Sequence, residues 1–283
     1  MRTQVQATLV SFILQASCLF AQLPPTSSSQ ELNTLLMHST FRIAGQNKNN
    51  PNMVSVGTLF ILGIPHKDDP KVSTMVLVTA AHVLDDIGTD EAALTVRRKN
   101  ADGTYTAFNQ PIQIRDGGKP LYVKHGNADV AAMYAHLDKD VPISALPLNF
   151  LADDKQLEDN ELHPGDEVFC LGFPLAASGA GGFPILRSGH IASYPLTPMK
   201  DIKYISLDVF LLGGNSGGPV YYSYTNRFFK GEPHLGGLWQ GILGLVIQEV
   251  NSALPEYSDK SLNYGAIVPS PFIRETIELL PPK

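Results

Sequence analysis

Ser216 stands in the run Leu212-Gly213-Gly214-Asn215-Ser216-Gly217-Gly218-Pro219. Glycines on both sides let the backbone take positive φ and let other groups approach it closely. A serine on such a bend can carry its Oγ out of a strand end, and backbone N–H groups beside it can converge on one spot where an oxyanion would form. Acyl transfer needs that arrangement. A serine alone is a poor nucleophile and requires a base. His82 is the candidate: it ends the apolar strand pattern Val72–Val78 and follows the small residues Thr79, Ala80 and Ala81, which leave room for a side chain to stand clear in a cleft. The third group is a carboxylate that holds the imidazole in one tautomer and stabilises its cation. Asp129 leads, because it precedes the apolar run Val130–Met133 and so sits at a strand start facing inward. Asp138 and Asp140 lie in a polar turn and read as solvated. Asp85 and Asp86 are too near His82 in sequence to reach round the ring easily, yet stay open as alternatives.

The elements that must hold these residues are short strands. Gln30–Met37 reads as one short helix with Leu32, Leu35 and Leu36 on a face. Met53–Ile64 is a long apolar strand, or bent pair, with Gly57 inside it. Ala92–Arg98, Asp102-Gly103 and Thr104–Phe108 form a hairpin pattern. Ile112–Arg115, Leu121–Val123 and Asp129–Tyr134 are further strands. Val141–Glu161, with two prolines and an acidic patch, reads as a connection between halves. The second half repeats the style at Glu167–Leu171, Ile185–Ser193, Tyr204–Leu207, Val220–Tyr224, Gly241–Val250 and Tyr264–Val268. Pro271–Leu280 is a closing helix with Ile273, Ile277 and Leu280 on one face. Helix signals occur only at the two ends, so the chain is expected to be all-β, a barrel or sandwich protein.

A length of 283 residues allows one large or two small domains, and a net charge of −6 without basic runs argues against a nucleic-acid partner. Arg2, the apolar stretch from Ala7 to Phe20 and a cleavage point at Ala21 read as a signal peptide, too short for a comfortable membrane span. The Pro24–Ser29 run that follows reads as a linker. Cys18 raises the thought of a lipid anchor, but Gln15 stands where such a signal has an aliphatic residue. Once the leader is removed only Cys170 remains, in a buried-strand pattern, so an exported form has no internal disulfide.

Thr79-Ala80-Ala81-His82, Asp129-Val130-Ala131 and Gly214-Asn215-Ser216-Gly217-Gly218-Pro219, in that order, resemble the three triad motifs of the trypsin-like (chymotrypsin-fold) serine peptidases. The resemblance covers roughly residues 40 to 275. It is nearest to the bacterial, disulfide-poor HtrA/DegP-like branch, through Gly172-Phe173-Pro174, Ser188-Gly189-His190-Ile191, Asp208 and Gly265-Ala266-Ile267-Val268-Pro269; no PDZ-like module is read after the domain. The resemblance implies two six-stranded antiparallel β-barrels with the site between them: first barrel about 40–140, connection about 141–163, second barrel about 164–270, helix about 271–281. By the family's own template, Ser216 attacks the scissile carbonyl, His82 moves the proton, Asp129 orients His82, and the Gly214 and Ser216 N–H groups form the oxyanion hole. The implied primary pocket has Phe210 at its floor, Val246 near its entrance and Gly265 on its far wall. With no acid at the floor, cleavage after a small or medium apolar residue of a protein or peptide substrate is expected, and no cofactor or metal. Asn215 stands where activated animal zymogens carry an aspartate that pairs with a new N-terminus, and a neutral amide cannot make that ion pair. Leu211-Leu212-Gly213 is bulky where near relatives often carry Asn-Pro.

Two other classes compete. Gly214-Asn215-Ser216-Gly217-Gly218 also satisfies the G-x-S-x-G pattern of α/β-hydrolases. That reading needs an acid and then a histidine after the serine, and only His234 follows, ahead of Glu256 and Asp259. A catalytically silent or latent peptide-binding module on the same fold is the second rival. Such modules usually lack a triad member, and all three candidates are present here. The remaining histidines, His38, His66, His125, His136, His163, His190 and His234, show no paired metal-ligand spacing.

Overall fold

A computed structural model describes residues 31–66, 73–135, 137, 141, 143, 145–251 and 261–282. The expected leader and linker over residues 1–30 with Cys18, the turn over 67–71, and His136, Asp138, Asp140, Pro142, Glu256 and Asp259 lie outside them.

The described chain opens on α1 (Leu32–Ser39), with Leu32 and Leu36 fully buried and Leu35 partly so. There follow β1 (Thr40–Gln46), β2 (Val54–Pro65), β3 (Ser73–Thr79), α2 (Ala81–Asp85), β4 (Glu91–Lys99), β5 (Tyr105–Gln113), the ribbon β6 (Arg115–Asp116) and β7 (Lys119–Pro120), then β8 (Val123–Lys124), β9 (Ala131–Tyr134) and β10 (Leu146–Pro147). The order β5-β4-β1-β2-β3-β9-β8 is antiparallel throughout, and β10 lies parallel beside β2. The first body is thus one sheet of eight strands, where six were expected; the short β8 and β10 enlarge it. The β4–β5 hairpin turns at Gly103, whose φ of +86° suits a residue without Cβ.

After α3 (Asp154–Asp159) come β11 (Glu167–Gly172), β12 (Ile185–Ile191), β13 (Ile205–Asp208), β14 (Pro219–Phe229), β15 (Glu232–Asn251), β16 (Ser261–Pro269) and α4 (Ser270–Glu278). The six strands close into a barrel in the order β11-β12-β13-β16-β15-β14. Successive side chains of a strand point to opposite faces, and over residues 219–222 of β14 and 241–246 of β15 both faces are buried. Val220, Tyr222, Leu243 and Val246 fill one core with Cys170 and Leu207. Tyr221, Ile242, Leu245 and Val268 join the core of the first body, together with Ile273 and Ile277 of α4. The fold is therefore all-β with two sheet bodies and a helix at each end, as expected.

Three local expectations are corrected. His82 is not at a strand end: β3 stops at Thr79 and His82 lies in the first turn of α2. The connection holds a helix, α3, with a capping box: Asp153 Oδ1 accepts from the Gln156 N–H (2.8 Å) and Gln156 Oε1 from the Asp153 N–H (3.1 Å). The hairpin of β14 and β15 runs out to a turn at Lys230-Gly231, well past the expected strand ends. Its outer half, with Phe228 and Leu235 exposed, lacks the apolar alternation that marks a buried strand.

Candidate active site

The pairing of β3 with β9 brings the first two residues together. Thr79 is opposite Ala131 in this antiparallel ladder, so the register carried two residues on sets Asp129 level with Ala81, beside His82. The helix α2 can sit close because Gly57 of β2 has no side chain; a Cβ there would lie 2.4 Å from Val83 Cγ1. Asp129 then holds the histidine at two points. Its Oδ1 accepts from the His82 backbone N–H at 3.0 Å, and its Oδ2 lies 2.5 Å from His82 Nδ1. With the Nδ1 proton committed to Asp129, the neutral ring offers Nε2 as its acceptor. Asp85 is engaged elsewhere, accepting from Tyr122 Oη (2.7 Å) and Lys124 Nζ (2.9 Å).

Burial by itself lowers the His82 pKa, but the hydrogen bond and charge of Asp129, with the charges of Asp86 and Asp85 behind it, outweigh that and raise it above the ordinary 6.5. Burial pushes the Asp129 carboxyl up. The hydrogen bond and charge of His82, with the backbone N–H groups of His82 and Ala81, more than reverse this and hold it below its ordinary range.

Ser216 comes from the loop between β13 and β14. Every carbonyl from Leu212 to Ser216 is tied to a donor. Leu212 O accepts from the Asn215 N–H (3.0 Å), Gly213 O from the Leu175 N–H (2.7 Å), Gly214 O from the Thr58 hydroxyl (2.6 Å), Asn215 O from the Gly218 N–H (2.9 Å), and Ser216 O from the Thr58 N–H (2.8 Å). Among the described residues the N–H groups of Gly214 and Ser216 find no acceptor. In a planar trans peptide the N–H points opposite to the C=O. Anchoring Gly213 O and Asn215 O therefore turns those two N–H groups away from their anchors. Gly214 adopts φ +96°, and a Cβ on it would lie 2.2 Å from Phe173 O, so only glycine fits. Ser216 Oγ donates to Ile247 O at 3.3 Å and makes no hydrogen bond to His82.

His82, Asp129 and Ser216 share the lining of one cleft of about 450 Å³ with Leu211, Leu212, Gly213, Val246 and Ile247. Gly214 is buried. A hollow of about 460 Å³ elsewhere, on the first body between Leu77, Ile112, Leu121 and Met133, is lined among the described residues by no serine, cysteine, histidine or carboxylate. Of the expected pocket residues, Val246 borders the cleft. Phe210 does not: the residue is 47% exposed and its ring lies under the Arg187 guanidinium, 5.5 Å away. Gly265 does not either, because the space over its Cα is taken by Leu211, whose Cδ1 would be 2.3 Å from a Cβ there. Counting back from the serine finds the right segment but not which of two neighbouring side chains turns inward. Ile247 and Thr58 were not singled out in the sequence, where each is one more apolar-strand residue far from Ser216. Among the described residues no group of three or more His, Cys, Asp or Glu side chains could hold a metal ion.

Residues 57–228 match the family model described as "Trypsin-like peptidase domain". The chain belongs to this family and is a serine peptidase, a hydrolase of peptide bonds. No curated protein is matched. Among solved structures it is similar to the active form of the Rv3671c protease from M. tuberculosis, at 16% identity over 93% of this chain and 96% of that one with a TM-score of 0.47. It is also similar to Deg5, at 16% identity over 88% and 92% with a TM-score of 0.47.

Proposed function

We propose that the protein is an exported endopeptidase that works through Ser216, His82 and Asp129 and an acyl-enzyme, cleaving after small or medium apolar residues. The observation that carries this reading is the two-point grip of Asp129 on His82 in the same cleft as Ser216. Ser216 Oγ attacks the scissile carbonyl while His82 Nε2 takes its proton. The Gly214 and Ser216 N–H groups receive the oxyanion. His82 then protonates the leaving amine, and water repeats the sequence on the acyl-enzyme. Specificity is supported by the wall of Leu211, Leu212, Val246 and Ile247, which offers no charge to a basic side chain, and by Leu211 closing the space over Gly265. Export is supported by the leader pattern up to Ala21. None of the described helices is long and apolar enough to cross a membrane. N-terminal sequencing of the mature protein should begin near residue 22; retention of Met1 would refute export by this route.

One observation favours a second reading, a latent peptide-binding site: the Ser216 hydroxyl rests on Ile247 O rather than on His82. Labelling with a fluorophosphonate, wild type beside Ser216→Ala, decides. Labelling of wild type alone, with peptide turnover reduced about 10⁶-fold in the variant, is expected. Folded wild type that neither labels nor turns over peptides favours the latent reading. Faster hydrolysis of Arg than of Ala or Val substrates would overturn the specificity.

A further inference from the structure

The loop that carries Ser216 receives little from its own side chains. Asn215 is 1% exposed, yet neither end of its amide has a partner among the described residues. Support comes instead from the opposite body. Thr58 of β2 is fully buried and has all its polar atoms in use, three of the four contacts serving the second body. Its N–H donates to Ser216 O (2.8 Å). Its hydroxyl donates to Gly214 O (2.6 Å) and accepts from the Phe173 N–H (3.2 Å). Its carbonyl accepts from Thr79 Oγ1 (2.6 Å), three residues before His82. Gly217 makes this approach possible, since a Cβ there would lie 2.1 Å from both Thr58 O and Thr79 Oγ1.

Gly213 and Gly214 form a turn with no side chains to restrain it, and adjacent glycines move between backbone wells at little cost. A flip of the 213–214 peptide would take the Gly214 N–H away from its present direction and put a carbonyl in its place. Two pins oppose that flip: the Leu175 N–H on Gly213 O, and the Thr58 hydroxyl on Gly214 O, one peptide further on. A hydroxyl that donates to one group and accepts from another is fixed in rotation, so the second pin is rigid.

We propose that Thr58 is a positioning residue of the peptidase reaction, its hydroxyl holding the Gly214 turn so that the oxyanion donors of the second body are set by a strand of the first. This rests on the reading of Ser216 as nucleophile. Donors aimed at developing charge act more strongly in the transition state than on bound substrate. Releasing the pin therefore lowers kcat and leaves KM nearly unchanged. Deleting an oxyanion donor outright costs about 10² to 10³ in kcat; a donor left in place but unpinned is expected to lose about 10- to 100-fold.

The test compares wild type, Thr58→Val, Thr58→Ser and Ser216→Ala on one peptide substrate and on a peptide aldehyde, whose adduct with serine places an oxygen where the oxyanion would be. Thr58→Val keeps the shape and removes the hydroxyl. It should lose kcat by the stated factor with KM within about twofold and bind the aldehyde more weakly by a similar factor. The acid limb of its pH profile should not move, because His82 and Asp129 are untouched. Thr58→Ser should stay close to wild type. Wild-type kcat in Thr58→Val, equal losses in Val and Ser, a loss confined to KM, or a moved acid limb would each overturn the proposal. If circular dichroism shows Thr58→Val unfolded, Thr58→Ala against Thr58→Ser gives the same contrast of hydroxyl lost and kept. Turnover in wild type that survives in Ser216→Ala, or no turnover in either, refutes the nucleophile reading instead, and the inference with it.

Discussion

At the scale of single residues, the proton inventory of the cleft sets its pH dependence. In the proposed mechanism His82 must be neutral to accept a proton from Ser216, and its pKa is raised above 6.5. Activity should therefore fall as pH drops, with the midpoint of kcat/KM on the acid side lying above 6.5. Replacing Asp129 by Asn removes the strongest raising influence and leaves burial, which lowers the pKa, opposed only by the smaller effects of the Asp86 and Asp85 charges. The acid-side midpoint in Asp129→Asn should move to lower pH, and kcat should fall by about 10⁴-fold, the magnitude of the family's own archetype. A pH profile of the variant that keeps the wild-type midpoint would contradict this. Ser216, His82 and Asp129, which share one cleft, each carry a local mark in the sequence: glycines round Ser216, small residues before His82, an apolar run after Asp129. Phe210 and Gly265 were misread because pocket walls depend on which way a loop side chain turns. Leu211, one position from Phe210, took the inward place and covered Gly265.

At the scale of elements, the seat of His82 depends on an absence. A methyl group on Gly57 would lie 2.4 Å and 2.8 Å from the two Cγ atoms of Val83, so α2 would have to lift off β2. Gly57→Ala should destabilise the protein by about 1–3 kcal/mol, the usual range for overpacking. It should also lower kcat, because a displaced imidazole meets Ser216 in the wrong geometry. Adding Val83→Ala should restore much of both; thermal melts and turnover of the single and double variants check it. The strands were legible from apolar runs and turn residues, and the buried face of α4 from its period. The helices α2 and α3 were not. Five or six residues are too few to show a helical period, and the capping box at Asp153 was lost among other acids. Short α2 is nonetheless the element on which His82 rides.

At the scale of the whole molecule, buried polar groups bind parts distant in sequence. Arg97 of β4 is 2% exposed and lies between the rings of Phe41 and Phe183, 4.4 and 4.5 Å from their centroids. Its guanidinium donates to the carbonyls of Met37, His38 and Thr40 at the end of α1, and to Gly182 O in the second body. Burial pulls its pKa down to about 10, which still leaves it cationic at neutral pH. Positive charge at a helix C-terminus is favourable. Arg97→Met should leave several buried carbonyls unpaired and destabilise the fold by at least about 2 kcal/mol, read as a lowered denaturation midpoint. No pattern in the sequence could have announced this anchor, whose partners are carbonyls and so have no residue identity.

The core of the first body takes in Tyr221, Ile242, Leu245 and Val268 from the second. Those side chains must match the first body in shape as well as fit their own barrel. Recombination between relatives at the connection near α3 would pair two surfaces that were never selected together. Chimeras joined there should fail more often than the tidy division of the strands implies, and the two halves are expected to change in evolution as a pair.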